Sequence, residues 1–280
     1  MEYKEFQFRI EPFEPFNDIL VAMLSELGFE SFTEEKPILK AYITETDFNS
    51  EIENQIEAIQ FPEVSITFEQ QLIPKENWNK KWEESFQPIQ IEDFCYIRAP
   101  FHEANPNVKF DLIIEPKMSF GTGHHATTQM MVQMMQGIAL ENLNVLDMGA
   151  GTGILGILAL KLKANLVDAI DIEEWAFENM QENAARNQAS EMNCYLGGVE
   201  KLQALNNQYD LIIANINKNI LFNQLPTYVS KLKSGGKILL SGFFYVDVEE
   251  FESWCKENQF QITKVLNHEN WACLMVEKRA

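Results

Sequence analysis

Apolar residues mark out the chain in two different periods. From Tyr3 to Ile10 they fall near every second position (Tyr3, Phe6, Phe8, Ile10), which predicts a half-buried strand. Pro15 can open a helix running to about Leu27, with Phe16, Ile19, Leu20, Met23, Leu24 and Leu27 on one face and Gly28 closing it. Phe29–Thr33 and Ile38–Thr44 read as two strands around the turn Glu35-Lys36-Pro37, 49–58 as a polar helix, and 64–72 as a further alternating strand. The order β-α-β-β-α-β predicts a small α+β ferredoxin-like domain ending near residue 74. Residues 75–117 then form a connector. In it Trp78 and Trp82 share a helical face expected to pack on a core, and 89–100 and 108–114 are two strands able to pair.

From residue 118 onward the pattern is strand–helix alternation, the pattern of an α/β domain with a mostly parallel sheet. An apolar, Met-rich helix covers 130–138, with Thr127 and Thr128 in capping positions before it. The densest apolar segment is VLDMGAGTGILGILALKLKANLVDAID, residues 145–171. It is a short strand ending in Asp147, a turn with glycines at 149, 151 and 153, a helix over 154–162, and a second strand ending in Asp171. Beyond it come a helix at 175–186, strands at 193–196 and 209–214, a helix at 225–232, a strand at 237–241, a helix at 246–258, and two strands (260–266, 271–277) resembling an antiparallel pair that closes the sheet.

The segment 145–171 carries a chemical implication. Glycines allow positive φ and close backbone approach, and the helix start beyond them offers free N–H groups. Asp171 follows at about the distance at which an acid accepts both ribose hydroxyls. A ligand with an adenosine-like ribose should lie across this turn. Gly151, Gly153 and Gly156 also fit the dinucleotide pattern G-x-G-x-x-G, a weak signal by itself. Asp147, placed to reach an ammonium group or to fix the turn, favours S-adenosylmethionine (SAM); an NAD-dependent oxidoreductase is the alternative. Asn215, at the end of the strand 209–214, can both accept from an amine and donate.

Composition narrows the classes. The 280 residues are 46% hydrophobic, enough for one large or two modest cores. There is no run of about 18 apolar residues, and the start MEYKEFQFRI lacks a signal-peptide core, so a cytoplasmic protein is expected. Four scattered cysteines suggest neither disulfides nor zinc. His124 and His125 are adjacent, but only His102 and His268 could join them, so no metal is expected. The net charge is −20, and residues 1–100 hold 21 acidic and 8 basic side chains. That balance argues against a nucleic-acid grip and suits a basic partner.

These residues together resemble the bacterial PrmA family of class I methyltransferases, over the whole chain and most firmly over 115–280. Phe120-Gly121-Thr122-Gly123-His124-His125-Ala126-Thr127-Thr128 matches the family's F-G-T-G-x-H-x-T-T. The segment 147–155 is similar to its D-x-G-x-G-S-G-I-L, 171–173 to its D-x-D, and Asn215-Ile216 to its N-I-L; the Ser234–Gly242 stretch and Trp271 also fit. The resemblance implies a Rossmann-like sheet with a C-terminal antiparallel hairpin and SAM as cofactor. It implies SAM-binding positions at Thr128, Gly149, Asp171 and Asn215, beside which Gly151 leaves space and His125 supports the F-G-T-G turn. It implies N-methylation, up to trimethylation, of lysines and the N-terminal α-amine of the large-subunit ribosomal protein L11. Asn215 is then the residue expected to orient the amine. An N-terminal recognition domain (1–74), a linker (75–117) and a catalytic domain (118–280) are implied too, in a monomer. Another amine substrate, or a ribosome assembly role that binds SAM without turnover, is an alternative. The chain departs from the family pattern at Glu115-Pro116-Lys117 (for D-P-G), Thr152 (for Ser), Glu173 (for the second Asp) and Asn217 (for Leu).

Overall fold

The computed structural model describes residues 2–73 and 78–279, without the side chains of 78–81. The chain divides into two compact units, 1–85 and 86–280. The expected boundary near residue 74, and the Trp78 half of the tryptophan pair, lie outside what is described. Residues 86–117 pack within the second unit.

In the first unit the elements are β1 (Tyr3–Glu11), α1 (Phe16–Glu26), β2 (Ser31–Glu35), β3 (Ile38–Thr44), α2 (Ser50–Glu57), β4 (Ser65–Ile73) and α3 (Trp78–Ser85). The four strands form one antiparallel sheet in the order β2-β3-β1-β4. Alternation explains the core: Phe6, Phe8 and Ile10 of β1 and Leu39, Ala41 and Ile43 of β3 turn to one side, against Leu20 and Leu24 of α1 and Ile56 of α2. Ile19 and Met23, expected on the buried face of α1, are at its exposed flank. The Asn49 side chain caps α2, accepting from the Glu51 and Ile52 amides.

The second unit opens with a three-stranded sheet of β5 (Ile89–Ile91), β6 (Cys95–Arg98) and β7 (Phe110–Ile113). β5 and β6 pair antiparallel, β6 and β7 parallel. Then follow α4 (Ala126–Gln136), β8 (Asn144–Met148), α5 (Ile154–Lys161), β9 (Leu166–Asp171), α6 (Glu174–Arg186), β10 (Asn193–Leu196), α7 (Val199–Ala204), β11 (Tyr209–Asn215), α8 (Lys218–Lys231), β12 (Leu232–Phe244), α9 (Val248–Glu257), β13 (Phe260–His268) and β14 (Trp271–Lys278). The large sheet runs β10-β9-β8-β11-β12-β14-β13. Its first five strands are parallel, and β14 and β13 complete it antiparallel.

The central strands β8, β9, β11 and the second half of β12 are mostly apolar because both faces are covered. Val145, Val167, Leu211, Ile213 and Leu239 meet α4, α5 and α6, with all four methionines of α4 buried. Leu146, Ile170, Ile212, Ala214 and Leu240 meet the other core, formed with Leu202 of α7, Leu221, Leu225 and Tyr228 of α8 and Phe251 of α9. No helix among the described residues is long and apolar enough to cross a membrane.

Three local expectations are corrected. α8 begins at Lys218, not at Leu225: Asn217 caps it and Pro226 lies inside it. α4 is capped by the His125 side chain, while Thr127 and Thr128 lie buried in its first turn. α7 had no counterpart in the sequence pattern, since only Leu202 in it is buried.

Candidate active site

The chain runs outward from β8 through β9 to β10, then returns to place β11 on the other side of β8. In an open α/β sheet the crevice at such a reversal, at the carboxyl ends of the strands, is where ligands bind. The two ends that meet there are Met148, leading into the glycine turn, and Ala214, leading into Asn215; the two residues are register partners.

The turn is built by the backbone. Gly149, Gly151 and Gly153 all have positive φ. A Cβ at Gly149 would lie 2.2 Å from the Ile216 side chain, and one at Gly151 would lie 2.3 Å from the Phe120 carbonyl oxygen. These two glycines are therefore required by the loops closing over the turn. Gly156, the third glycine of the dinucleotide reading, sits in α5, where a Cβ would meet Met192, Asp147 and Val167; helix–strand packing explains it.

Asp147 fixes the turn and does not face the crevice. It is buried, and its Oδ2 accepts from the Gly156 amide at 2.9 Å. Burial pushes its carboxyl up to about 7; the Gly156 N–H opposes the rise and the nearby Asp171 charge adds to it. Asp171, at the end of β9, accepts from the Gly151 amide through Oδ2 at 2.8 Å and from the Glu173 amide through Oδ1 at 3.0 Å. It thus ties the glycine turn to the following loop, and each oxygen retains a lone pair.

A cavity of about 380 Å³ opens beside the turn, lined by Phe120, His125, Thr127, Asn215, Ile216, Asn217, Ile220, Gly242 and Trp271. Of the residues expected from the sequence, Asn215 and His125 line it; Thr128, Gly149, Gly151 and Asp171 are not in its lining, and lie in the first turn of α4, in the glycine turn and at the end of β9. The His125 ring is held between Phe120 (centroids 5.2 Å apart) and Trp271 (4.7 Å), and Trp271 stacks on Phe244 at 4.3 Å. His125 Nδ1 also accepts from the Thr127 amide. His124 faces elsewhere, with Nε2 2.9 Å from the Gln87 carbonyl oxygen.

Two oxygens here, Thr128 Oγ1 and Asn215 Oδ1, are buried without a protein hydrogen-bond partner. A buried polar group left unmade costs about 1–3 kcal/mol, so the fold keeps them for a partner it does not itself supply. SAM has ribose hydroxyls and an ammonium to donate, and the residues present fit it: two unpaired oxygens, a carboxylate with spare acceptor capacity, and backbone turning at positive φ.

Ile220 had no place in the sequence reading, and Ile216 and Gly242 entered it as parts of motifs without a role. Gly242 had a signal, a glycine closing a strand. Its φ is +95° and a Cβ there would meet the Ile216 carbonyl oxygen at 2.4 Å. Ile216 carried no sign in the sequence that it would cover Gly149 from the loop after β11.

Comparison with known proteins points to one family. Residues 20–279 match the family model described as Ribosomal protein L11 methyltransferase (PrmA). A protein of that name from Porphyromonas gingivalis is 43% identical over 259 residues, spanning 92% of this chain and 89% of its own. Another from Phocaeicola vulgatus is 36% identical over 277 residues, 98% of each chain. The crystal structure of a ribosomal protein L11 methylase from Lactobacillus delbrueckii subsp. bulgaricus superposes with a TM-score of 0.65 at 28% identity, over 70% of this chain and all of that one.

Proposed function

The chain belongs to the ribosomal protein L11 methyltransferase (PrmA) family, and on that premise we propose that it methylates amines of ribosomal protein L11, lysine side chains and the N-terminal α-amine, up to the trimethyl state. The methyl donor is SAM, which when bound supplies a methyl group activated on a sulfonium that departs as a neutral thioether.

The observation that carries the reading is the position of Asn215. It stands at the reversal point of the sheet, on the wall of the cavity and next to the glycine turn, with its side-chain oxygen buried and unpaired. Thr128, Gly149, Gly151, Asp171 and Asn215 would hold the donor, with His125 bracing the Phe120 turn over it. Asn215 also orients the incoming amine.

The amine must arrive uncharged. A free α-amine has a pKa of about 7.7–8.0 and a lysine about 10.4. Among the described residues no carboxylate lines the cavity, and its walls are largely aromatic and aliphatic. Such walls disfavour an ammonium and lower a lysine's pKa by desolvation. Alignment supplies much of the remaining rate, since near-attack positioning can contribute about 7–11 kcal/mol. We assign substrate recognition to the acidic N-terminal region (1–74), joined through 75–117 to the catalytic region (118–280); its charge suits a basic partner.

Purified protein, labelled SAM and a panel of basic ribosomal proteins test the reading. Label should enter L11 and leave the others unlabelled. Label in another protein and none in L11 would overturn the substrate, and no SAM binding at all would overturn the class.

A further inference from the structure

α6 carries two asparagines one turn apart, Asn179 and Asn183, and a third, Asn187, is its C-cap; all three are buried. Asparagine is a poor helix former, and burying an amide costs free energy unless it is hydrogen-bonded. On the same helix Met180 and Ala184 pack in the core, so leucine would be the cheaper choice at these sites.

The hydrogen bonds show what the amides hold. Asn183 Nδ2 donates to the Thr152 carbonyl at 3.0 Å, and its Oδ1 accepts from the Glu115 amide at 2.9 Å. One side chain thus grips the glycine turn with one end and the start of the 115–125 loop with the other. The two loops are also joined directly: the Thr152 amide donates to the Phe120 carbonyl at 2.9 Å and Thr152 Oγ1 to the Gly121 carbonyl at 2.7 Å. On the outer side of α6, Lys117 pairs with Glu182 and Arg186 with Glu115. Asn187 differs. Among the described residues its side chain hydrogen-bonds the Ile113 amide and carbonyl and the Asn183 carbonyl, and no residue of either loop.

We propose that Asn183, acting with Thr152, is a positioning residue for the methyl donor: it sets the register of the 115–125 loop against the glycine turn and so preforms the donor site. This rests on the methyltransferase reading above. Both loops contribute to the site, Phe120 and His125 from one and Gly149 to Gly153 from the other. A shift between them would displace the glycine turn from Phe120 and His125 while leaving the sheet intact.

The test compares full-length variants by thermal melting and by SAM titration calorimetry well below the melting temperature. Asn187→Leu should lower Tm and leave the SAM Kd unchanged. Asn183→Leu, and Asn183→Asp, which keeps the acceptor for Glu115 but loses the donor to Thr152, should each raise Kd about tenfold, the effect of losing roughly one well-made hydrogen bond. Should Asn183→Leu fail to fold, Thr152→Val is decisive: it removes only the hydroxyl link, and should raise Kd as well. Asn183 and Thr152 variants that melt earlier but bind SAM as wild type does would overturn the proposal. A wild-type chain that takes up no SAM would overturn the methyltransferase reading along with it.

Discussion

Asp147 lies beneath the glycine turn with 1% of its surface exposed, and its raised pKa has a consequence for stability. The unfolded chain releases this proton near its ordinary value of 3.8, whereas the folded chain keeps it until about 7. Folding therefore binds a proton between those values. The contribution to stability is full at the acid end and is lost as pH rises towards about 7, by at most about 1.4 kcal/mol per pH unit. Asp147→Asn keeps an acceptor for the Gly156 amide and cannot ionise. Its melting temperature should gain on wild type as pH rises from about 5 to about 7; a difference constant with pH would contradict the assignment. For Asn215 the prediction is kinetic. Asn215→Ala should lower kcat by about 10²–10³, the scale seen when one preorganised polar group is removed from an active site, with only a modest loss of stability. A wild-type kcat would end its role. Asp171, Asn215 and the glycines could be located in the sequence because each has a fixed offset from a strand end. The two possible roles of Asp147 could not be separated that way, because which direction a strand-end carboxylate turns depends on the helix packed behind it.

At the scale of elements, the strands were legible because apolar runs and alternation reflect burial directly. Helix limits were less so. The helix expected at 225–232 starts earlier: Leu221, Leu225 and Tyr228 bury along one face and carry it through Pro226 from the Asn217 cap. The cap of α4 was assigned to the threonines on propensity, whereas the His125 ring, held by Phe120 and Trp271, is the group in place to accept. The asparagines of α6 follow no apolar period and so gave no signal, although Asn183 joins the loops of the site. The glycine turn yields a prediction at this scale. Gly151→Ala puts a Cβ onto the Phe120 carbonyl at a φ of +55°. It should destabilise the chain by about 1–3 kcal/mol, as left-handed strain does, and weaken SAM binding because the 115–125 loop must lift. Gly235→Ala is the control: φ is +74° there but nothing lies within 4 Å of the added methyl, so it should cost backbone strain alone and leave SAM binding intact. Equal SAM affinities in the two variants would contradict this account of the turn.

For the whole molecule, the reversal of strand order at β8 and β11 places the site, and the net charge of −20 bears on the partner. If the acidic first region draws in a basic protein, raising salt from about 50 mM to about 500 mM should increase KM for L11 and leave kcat nearly unchanged, because screening weakens encounter more than contact chemistry. A salt-independent KM would place recognition in apolar contacts instead. The central claim, that this site methylates L11, is tested most directly by intact-mass spectrometry of ribosomal proteins from cells with and without the gene. The account predicts that L11 alone loses a whole number of methylene masses when the gene is absent, and regains them when the wild-type gene is restored but not with Asn215→Ala. An L11 mass unaffected by the gene, or a loss confined to another ribosomal protein, would contradict it.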